Sequence, residues 1–230
     1  MTASKRIAIY TDGSSLGNPG PGGWSWWRHG NCWAAGSLPH TTNQQAELVA
    51  VLMALKTIPA DVALKIVSDS QYTVNMLTKW LPGWKRAGWR TASGQPVANL
   101  KIVQHLDAAL SKRLVVPQFE WVRGHTGVIG NEEADRAAVA AAYAEKSGRL
   151  ARKGPGWSTR PAPAAPRTKQ APPPAGKKTS RATDRGKTPG SVRSDGALMG
   201  VRPTDGLSVM KCTSCGATVN PLSLDCRCTR

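Results

Sequence analysis

The stretch Tyr10-Thr11-Asp12-Gly13-Ser14-Ser15-Leu16-Gly17-Asn18-Pro19-Gly20-Pro21-Gly22-Gly23-Trp24 decides how the rest of the chain is read. The apolar run Ile7-Ala8-Ile9-Tyr10 leads into it and has the pattern of a strand. Asp12 falls where that strand should end, and the glycines and prolines that follow turn the chain sharply. A carboxylate at the carboxyl end of a strand, beside an open Gly-rich turn, can hold a cation and leave room for a ligand. One Asp-Gly is also common in plain turns. The reading therefore depends on whether other carboxylates reach the same place.

They follow in order. Trp24–Arg28 and Cys32–Gly36 flank Gly30-Asn31 and read as a hairpin, so the chain opens with an antiparallel meander. His29 reads as a solvated turn residue. Thr42-Asn43-Gln44-Gln45 has the pattern of a capping box and starts a helix ending near Ile58, with an apolar stripe at Ala46, Val49, Ala50, Met53 and Leu55. Glu47 is placed in its first turn, where a carboxylate also favours the helix dipole. The next strand, Val62–Val67, ends in Ser68-Asp69-Ser70 and repeats the first pattern. A strand following a helix tends to lie parallel to an earlier one through a right-handed crossover. Beside the first strand it would bring Asp12 and Asp69 out at adjacent carboxyl ends, where ligands bind in α/β sheets.

A short helix is expected from Gln71 to Lys79. Trp80, Trp84 and Trp89 then alternate with Lys79, Lys85, Arg86 and Arg90. Indole faces can pack on sugar or base while the cations meet phosphates; the alternative is a small satellite core under solvated charges. An amphipathic helix over Asn99–Lys112 and a last strand, Phe119–Val122, lead to the Gly-rich loop that carries His125. The final helix starts near Glu132 and has Asp135 in its first turn.

Asp12, Glu47, Asp69 and Asp135 thus point to one place. Unneutralised, they would raise one another's pKa. Hard oxygen donors without cysteine favour Mg²⁺ or Mn²⁺ over Zn²⁺, and a pair of such ions clamps a phosphodiester.

Charge agrees with a polyanionic partner. The formal net charge is +17 over 230 residues. Residues 1–150 carry 16 Lys/Arg against 10 Asp/Glu, and residues 151–230 carry 15 against 4. Nucleic acid is the common partner of such a chain, and bare solubility the alternative. No apolar run reaches the ~18 residues of a membrane span, and the chain enters a strand directly, so a cytoplasmic protein without membrane contact is expected.

At this point the motifs resemble a known family. Tyr-Thr-Asp-Gly-Ser (10–14), Gly-Asn-Pro-Gly-Pro-Gly-Gly (17–23), Thr-Thr-Asn-Gln-Gln-Ala-Glu-Leu (41–48), Ser-Asp-Ser-Gln-Tyr (68–72), Trp-Val-Arg-Gly-His (121–125) and Asn-Glu-Glu-Ala-Asp (131–135) are similar, in order and spacing, to ribonuclease H of type one. The resemblance covers about residues 5–145. It implies an α/β, ribonuclease H-like fold: a mixed five-stranded sheet, the meander joined to parallel strands, with helices on both faces. It implies an endonuclease that hydrolyses the RNA strand of RNA–DNA hybrids with two Mg²⁺, leaving 5′-phosphate and 3′-hydroxyl ends. Asp12, Glu47, Asp69 and Asp135 would be the metal ligands, and His125 the loop histidine that moves protons or assists product release. Asn18, Asn43, Gln44 and Gln71 match residues that read the hybrid's minor groove, and Thr42 one that holds a DNA-strand phosphate. Trp80, Trp84, Lys85, Arg86, Trp89 and Arg90 lie in the counterpart of the family's basic protrusion. Gln45, Gln95 and Ala98 stand where relatives often carry a basic residue. A junction resolvase or transposase of the same fold, and a non-catalytic hybrid-binding module, are the alternatives.

The resemblance implies nothing for the rest of the chain. A catalytic domain over 1–148, expected to be monomeric, is followed by a disordered Pro/Ala/Lys/Arg-rich linker over 149–197 and a small module over 198–230. From Lys146 to Thr183 there are ten Lys/Arg, seven Pro and no acid, a composition unable to bury a core. This tail is expected to bind nucleic acid. Cys212, Cys215, Cys226 and Cys228 can close a tetrahedral Zn²⁺ site, although the second pair is spaced C-x-C; free or redox-active thiols and disulfides are the alternatives.

Overall fold

The computed structural model describes residues 6–160 and, in backbone only, residues 210–211 and 218–219. Strands β1 (Ile7–Ser15), β2 (Gly20–His29) and β3 (Cys32–Thr41) form the meander. Helix α1 (Asn43–Thr57) leads to β4 (Leu64–Ser68), and α2 (Gln71–Asn75) continues through a π-helical turn (Met76–Trp80) into α3 (Leu81–Arg86). Helix α4 (Leu100–Ser111), β5 (Gln118–Trp121) and α5 (Ile129–Lys146) follow. Far along the chain, β6 (Met210–Lys211) pairs with β7 (Thr218–Val219). Cys212, Cys215, Cys226 and Cys228 lie outside the described residues, as does the linker beyond Arg160.

The sheet order is β3-β2-β1-β4-β5. β1 pairs with β2, and β2 with β3, antiparallel; β1 with β4, and β4 with β5, pair parallel. The expected mixed five-stranded sheet is therefore present, with its crossover through α1. Side-chain alternation separates its faces. Gly13 lies against the α1 backbone, and Trp24, its partner on β2, is in the core with α1. Gly23 meets Ala138 of α5, and Ser25 Oγ donates to the Ala134 carbonyl at 2.6 Å. Helices thus cover both faces.

The capping box of α1 is formed: Gln45 N–H donates to Thr42 Oγ1 at 3.2 Å and Thr42 N–H to Gln45 Oε1 at 3.1 Å. Such a cap contributes ~1 kcal/mol. The single apolar stripe expected of this helix is too narrow. Every residue from Ala46 to Leu55 is buried, because the sheet lies on one side and α4, through Ile102, Val103 and Leu106, fills the other.

Two boundaries that bear on the site shift. β1 runs through Asp12 to Ser15, since β2 keeps pairing with it as far as Gly22. α5 begins at Ile129, three residues before the expected Glu132, which puts Asp135 in its second turn; α1 begins after Thr42 as expected, but Glu47, its fifth residue, also falls in the second turn, not the first.

Residues 149–160 fall in the stretch that composition assigns to the linker, yet they dock on the edge strand β3. Ala35 N–H donates to the Lys153 carbonyl at 3.1 Å, and Gly156 N–H to the Trp33 carbonyl at 3.0 Å. Arg28 Nη1 donates to the Ser158 carbonyl at 2.6 Å, and Ser158 N–H to Cys32 Sγ at 3.2 Å. Trp157 packs on the core with the Arg28 guanidinium 5.4 Å from its ring centre. Gly154 passes so near Trp33 that a Cβ would meet its carbonyl oxygen at 2.5 Å. His29 is consequently not a solvated turn residue. It is buried, 3.1 Å from the Arg160 carbonyl. This strap occupies an edge that would otherwise invite strand pairing.

A chain ending at Gly148 is expected to melt ~5–10 °C below one ending at Arg160, because it loses the strap's hydrogen bonds and the burial of Trp157. Thermal unfolding of the two truncations followed by circular dichroism checks this; coincident transitions would mean that the strap adds nothing.

Candidate active site

Parallel pairing of β1 with β4 ends at Tyr10 and Val67. Beyond it the two strands are no longer bridged, and Asp12 and Asp69 flank the opening. Glu47 enters from the helix above. Its approach depends on Gly13, where a Cβ would fall 2.1 Å from the Ala46 carbonyl carbon and the Glu47 nitrogen. Asp12, Glu47 and Asp69 each place a carboxylate oxygen within 4.8 Å of the others. Asp12 and Glu47 are buried and Asp69 half-buried. Asp135 stands beside this trio from α5, within hydrogen-bonding reach of Asp12. The four predicted carboxylates therefore meet, three in a tight cluster and Asp135 at its edge.

The charges acting on this centre from its own members are all negative. Burial first, and then the charges of Asp69 and Asp135, push the Asp12 carboxyl up to about 8 against the pull of the Gly13 N–H. Burial, with the charges of Asp12, Asp69 and Asp135, likewise holds Glu47 well above the carboxylate range. Glu47 Oε2 is buried without a hydrogen-bond partner. Oxygen donors alone, crowded and short of positive charge, fit a hard divalent cation and not a thiophilic one.

Asn131 belongs to this centre and was not singled out from the sequence. It is buried, its Nδ2 donates to Asp69 Oδ2 at 2.9 Å, and its Oδ1 has no partner. The available signal was its spacing, since Asn131 and Asp135 are four apart and share one face of α5. Trp121 Nε1 donates to the Asp69 carbonyl at 2.9 Å, tying β5 to the same residue. The loop after β5 is held close as well: a Cβ on Gly124 would lie 2.7 Å from Asp69 Oδ2. The next residue, His125, is exposed in left-handed backbone with φ 55°.

The amide residues gather around the start of α1. Asn43 N–H donates to Asn18 Oδ1 at 3.2 Å, linking the Gly-rich turn to the helix. Asn99, the left-handed residue before α4, donates to Gln44 Oε1 at 2.9 Å and accepts from Gln45 Nε2 at 3.1 Å. Asn99 also escaped the sequence reading, because its partners are more than fifty residues away. The Thr42 hydroxyl is engaged in the cap, and Gln71 is exposed at the first position of α2, two residues after Asp69.

The Trp-basic segment is divided between core and surface. Trp84 and Trp89 pack against the core, as a satellite core would. Trp80 is 38% exposed, with its ring 5.6 Å from Tyr72 and 5.7 Å from Trp84. Lys85 is paired with Asp107 at 2.8 Å, Arg90 donates to the Gly94 carbonyl, and Arg86 is exposed.

Residues 4–143 match the family model for RNase H. The chain belongs to the ribonuclease H family. This ribonuclease H, an enzyme of type one, is 42% identical over 141 residues to the ribonuclease HI of Pseudomonas aeruginosa, covering 60% of this chain and 94% of that one. It is 43% identical over 165 residues to the ribonuclease H of Tropheryma whipplei, covering 70% of this chain and 99% of the relative. Among solved structures it is similar to the foamy viral protease-reverse transcriptase in complex with dsDNA, at 23% identity and a TM-score of 0.51, over 59% of this chain and 93% of that one; this likeness bears on the fold alone.

The raised Asp12 carboxyl makes stability pH-dependent. Unfolded, the group loses its proton near 3.8; folded, near 8. Between those values the folded state binds more protons, so without divalent cation stability falls as pH rises, by up to ~1.4 kcal/mol per unit. Melting from pH 5 to 9 in chelator should show that fall, and added Mg²⁺ should raise the melting temperature more at pH 8 than at pH 5. A flat profile in chelator would contradict the crowding of charge.

Proposed function

We propose that this ribonuclease H hydrolyses the RNA strand of RNA–DNA hybrids, giving 5′-phosphate and 3′-hydroxyl ends. The observation that carries the reading is the convergence of Asp12, Glu47 and Asp69 within 4.8 Å, with Asp135 beside them. These four residues would hold two Mg²⁺, with Mn²⁺ as a substitute. Such ions, when bound, supply a water nucleophile at neutral pH and neutralise charge on the phosphate. Asn131 and Trp121 position Asp69 from two sides. His125, exposed beside Gly124, exchanges a proton with the departing 3′ oxygen or assists release of product.

Substrate selection falls to the amides. Only the 2′-hydroxyl marks a nucleotide as RNA, and an amide can both donate to it and accept from it. Asn18, Asn43, Gln44 and Gln71 lie on the protein surface near the carboxylates' helix and strand ends, with Gln44 oriented by Asn99. Thr42 would meet a DNA-strand phosphate through what its cap leaves free. Trp80, Arg86 and Arg90 would face the DNA strand, Lys85 contributing less because Asp107 offsets its charge, and the basic tail beyond the strap, after Arg160, would add phosphate contacts. A purely binding module gains nothing from four acids next to phosphate.

A uniformly labelled hybrid, tested beside matched double-stranded RNA and DNA with and without Mg²⁺, is expected to be the only duplex cut, and only with Mg²⁺. Asp69→Asn should lower cleavage by at least ~10³-fold while hybrid binding survives. Near wild-type cutting by that variant would remove the carboxylate assignment.

His125→Ala is expected to slow turnover by ~10²-fold without abolishing it. Multiple-turnover kinetics checks this, and a loss as deep as that of Asp69→Asn would make the histidine indispensable to the chemistry.

A further inference from the structure

A cavity of about 330 Å³ lies away from the carboxylates, between the β2–β3 hairpin, α5 and the strap. Trp27 and Trp33 line one side and the alanine face of α5, at Ala137, another. Arg152 from the strap lies over the Trp33 ring, 5.3 Å from its centre. Arg136 stands at the mouth, paired with Glu133 at 2.7 Å but still 69% exposed. Two guanidinium groups against one carboxylate leave the mouth net positive.

The position is informative. Ser25 sits opposite Asp12 in the sheet, and Trp27 opposite Tyr10. Residues two apart on a strand share a face, so Trp27 lies on the face of Asp12, ~7 Å further along β2. The cavity-lining residues of α5, Glu133, Arg136, Ala137 and Ala140, lie on the flank opposite Asp135, so a strand that leaves the duplex at the carboxylates reaches the cavity by crossing α5. Its volume suits one planar ring system, its walls are indole and methyl, and its cations sit where a phosphate would emerge. Stacking on aromatic faces with cations along the backbone is how unpaired bases are held without regard to sequence. The strap supplies one wall of the cavity through Arg152, a residue beyond those that match the family model.

We propose that this cavity binds one unpaired nucleotide of a single strand that continues from the duplex, its base against Trp27 and Trp33 and its phosphate toward Arg152 and Arg136. The site goes beyond the reading of the active centre, and it is tested by binding with no cleavage step.

The test is fluorescence anisotropy with the full chain in chelator, comparing a blunt hybrid with hybrids carrying a single-stranded DNA overhang of about six nucleotides, in each polarity. One polarity should bind about tenfold tighter than the blunt duplex. Trp33→Ala and Arg152→Ala should each remove most of that advantage and leave blunt-duplex affinity unchanged. Arg152→Lys, which keeps charge without the planar group, should recover it only in part. Arg152 is an exposed side chain, so its variants answer the question even where Trp33→Ala loosens the strap. The proposal is overturned by equal affinity for blunt and overhanging hybrids, by an advantage that persists in both alanine variants, or by equal losses on both substrates. Free deoxyadenosine monophosphate that binds the cavity as tightly as the overhang would overturn the strand assignment in favour of a mononucleotide site.

Discussion

Gly13 is the constraint on which the active centre depends. The α1 backbone presses onto β1 so closely there that no side chain fits. That contact brings Glu47 to Asp12, and it exists because α1 is buried on all sides and held down by α4. Burying the helix so completely also buries the carboxylate, so the packing that builds the site is what lifts Glu47 and Asp12 far from their ordinary ionisation. Fold and chemistry are joined at one missing Cβ.

Crowded acids are costly for a folded chain without a counter-charge. The rest of the site reads as restraint on them. Asn131 holds Asp69 by its side chain and Trp121 by its carbonyl, while Gly124 lets the loop of His125 lie against it. Asp69 is thereby fixed by α5, β5 and the loop between them, none of which is adjacent to it in sequence. Asp135, on the same helix as Asn131 and half-buried like Asp69, stands at the edge of the cluster within reach of Asp12.

The strap shows the same economy at the other end of the hairpin. A Gly-Pro-Gly stretch, Trp157 and a few backbone hydrogen bonds close the exposed edge of β3 and take His29 out of solvent. Arg160, the last described residue of the strap, is held beside the hairpin by the contact of its carbonyl with His29 Nε2. In building this closure the strap also roofs a cavity with Arg152.

Local pattern and motif spacing were enough to determine the strands of the sheet, the capping box at Thr42 and the four carboxylates that the structure brings together. The strands and the cap are written in runs within one element, and each carboxylate stands in its own short motif near the end of a strand or near the start of a helix. The sequence by itself could not determine where β1 stops, because its last residues, Gly13 to Ser15, are strand only through their pairing with Gly22 to Trp24. Nor could it reveal that Asn99 orients Gln44, that Asn131 holds Asp69, or that residues 149–160 are part of the fold. Those facts depend on contacts between distant segments. A Pro- and Arg-rich stretch has no internal pattern that could order it; an unpaired edge strand supplies the order, and only the tertiary structure brings the two together.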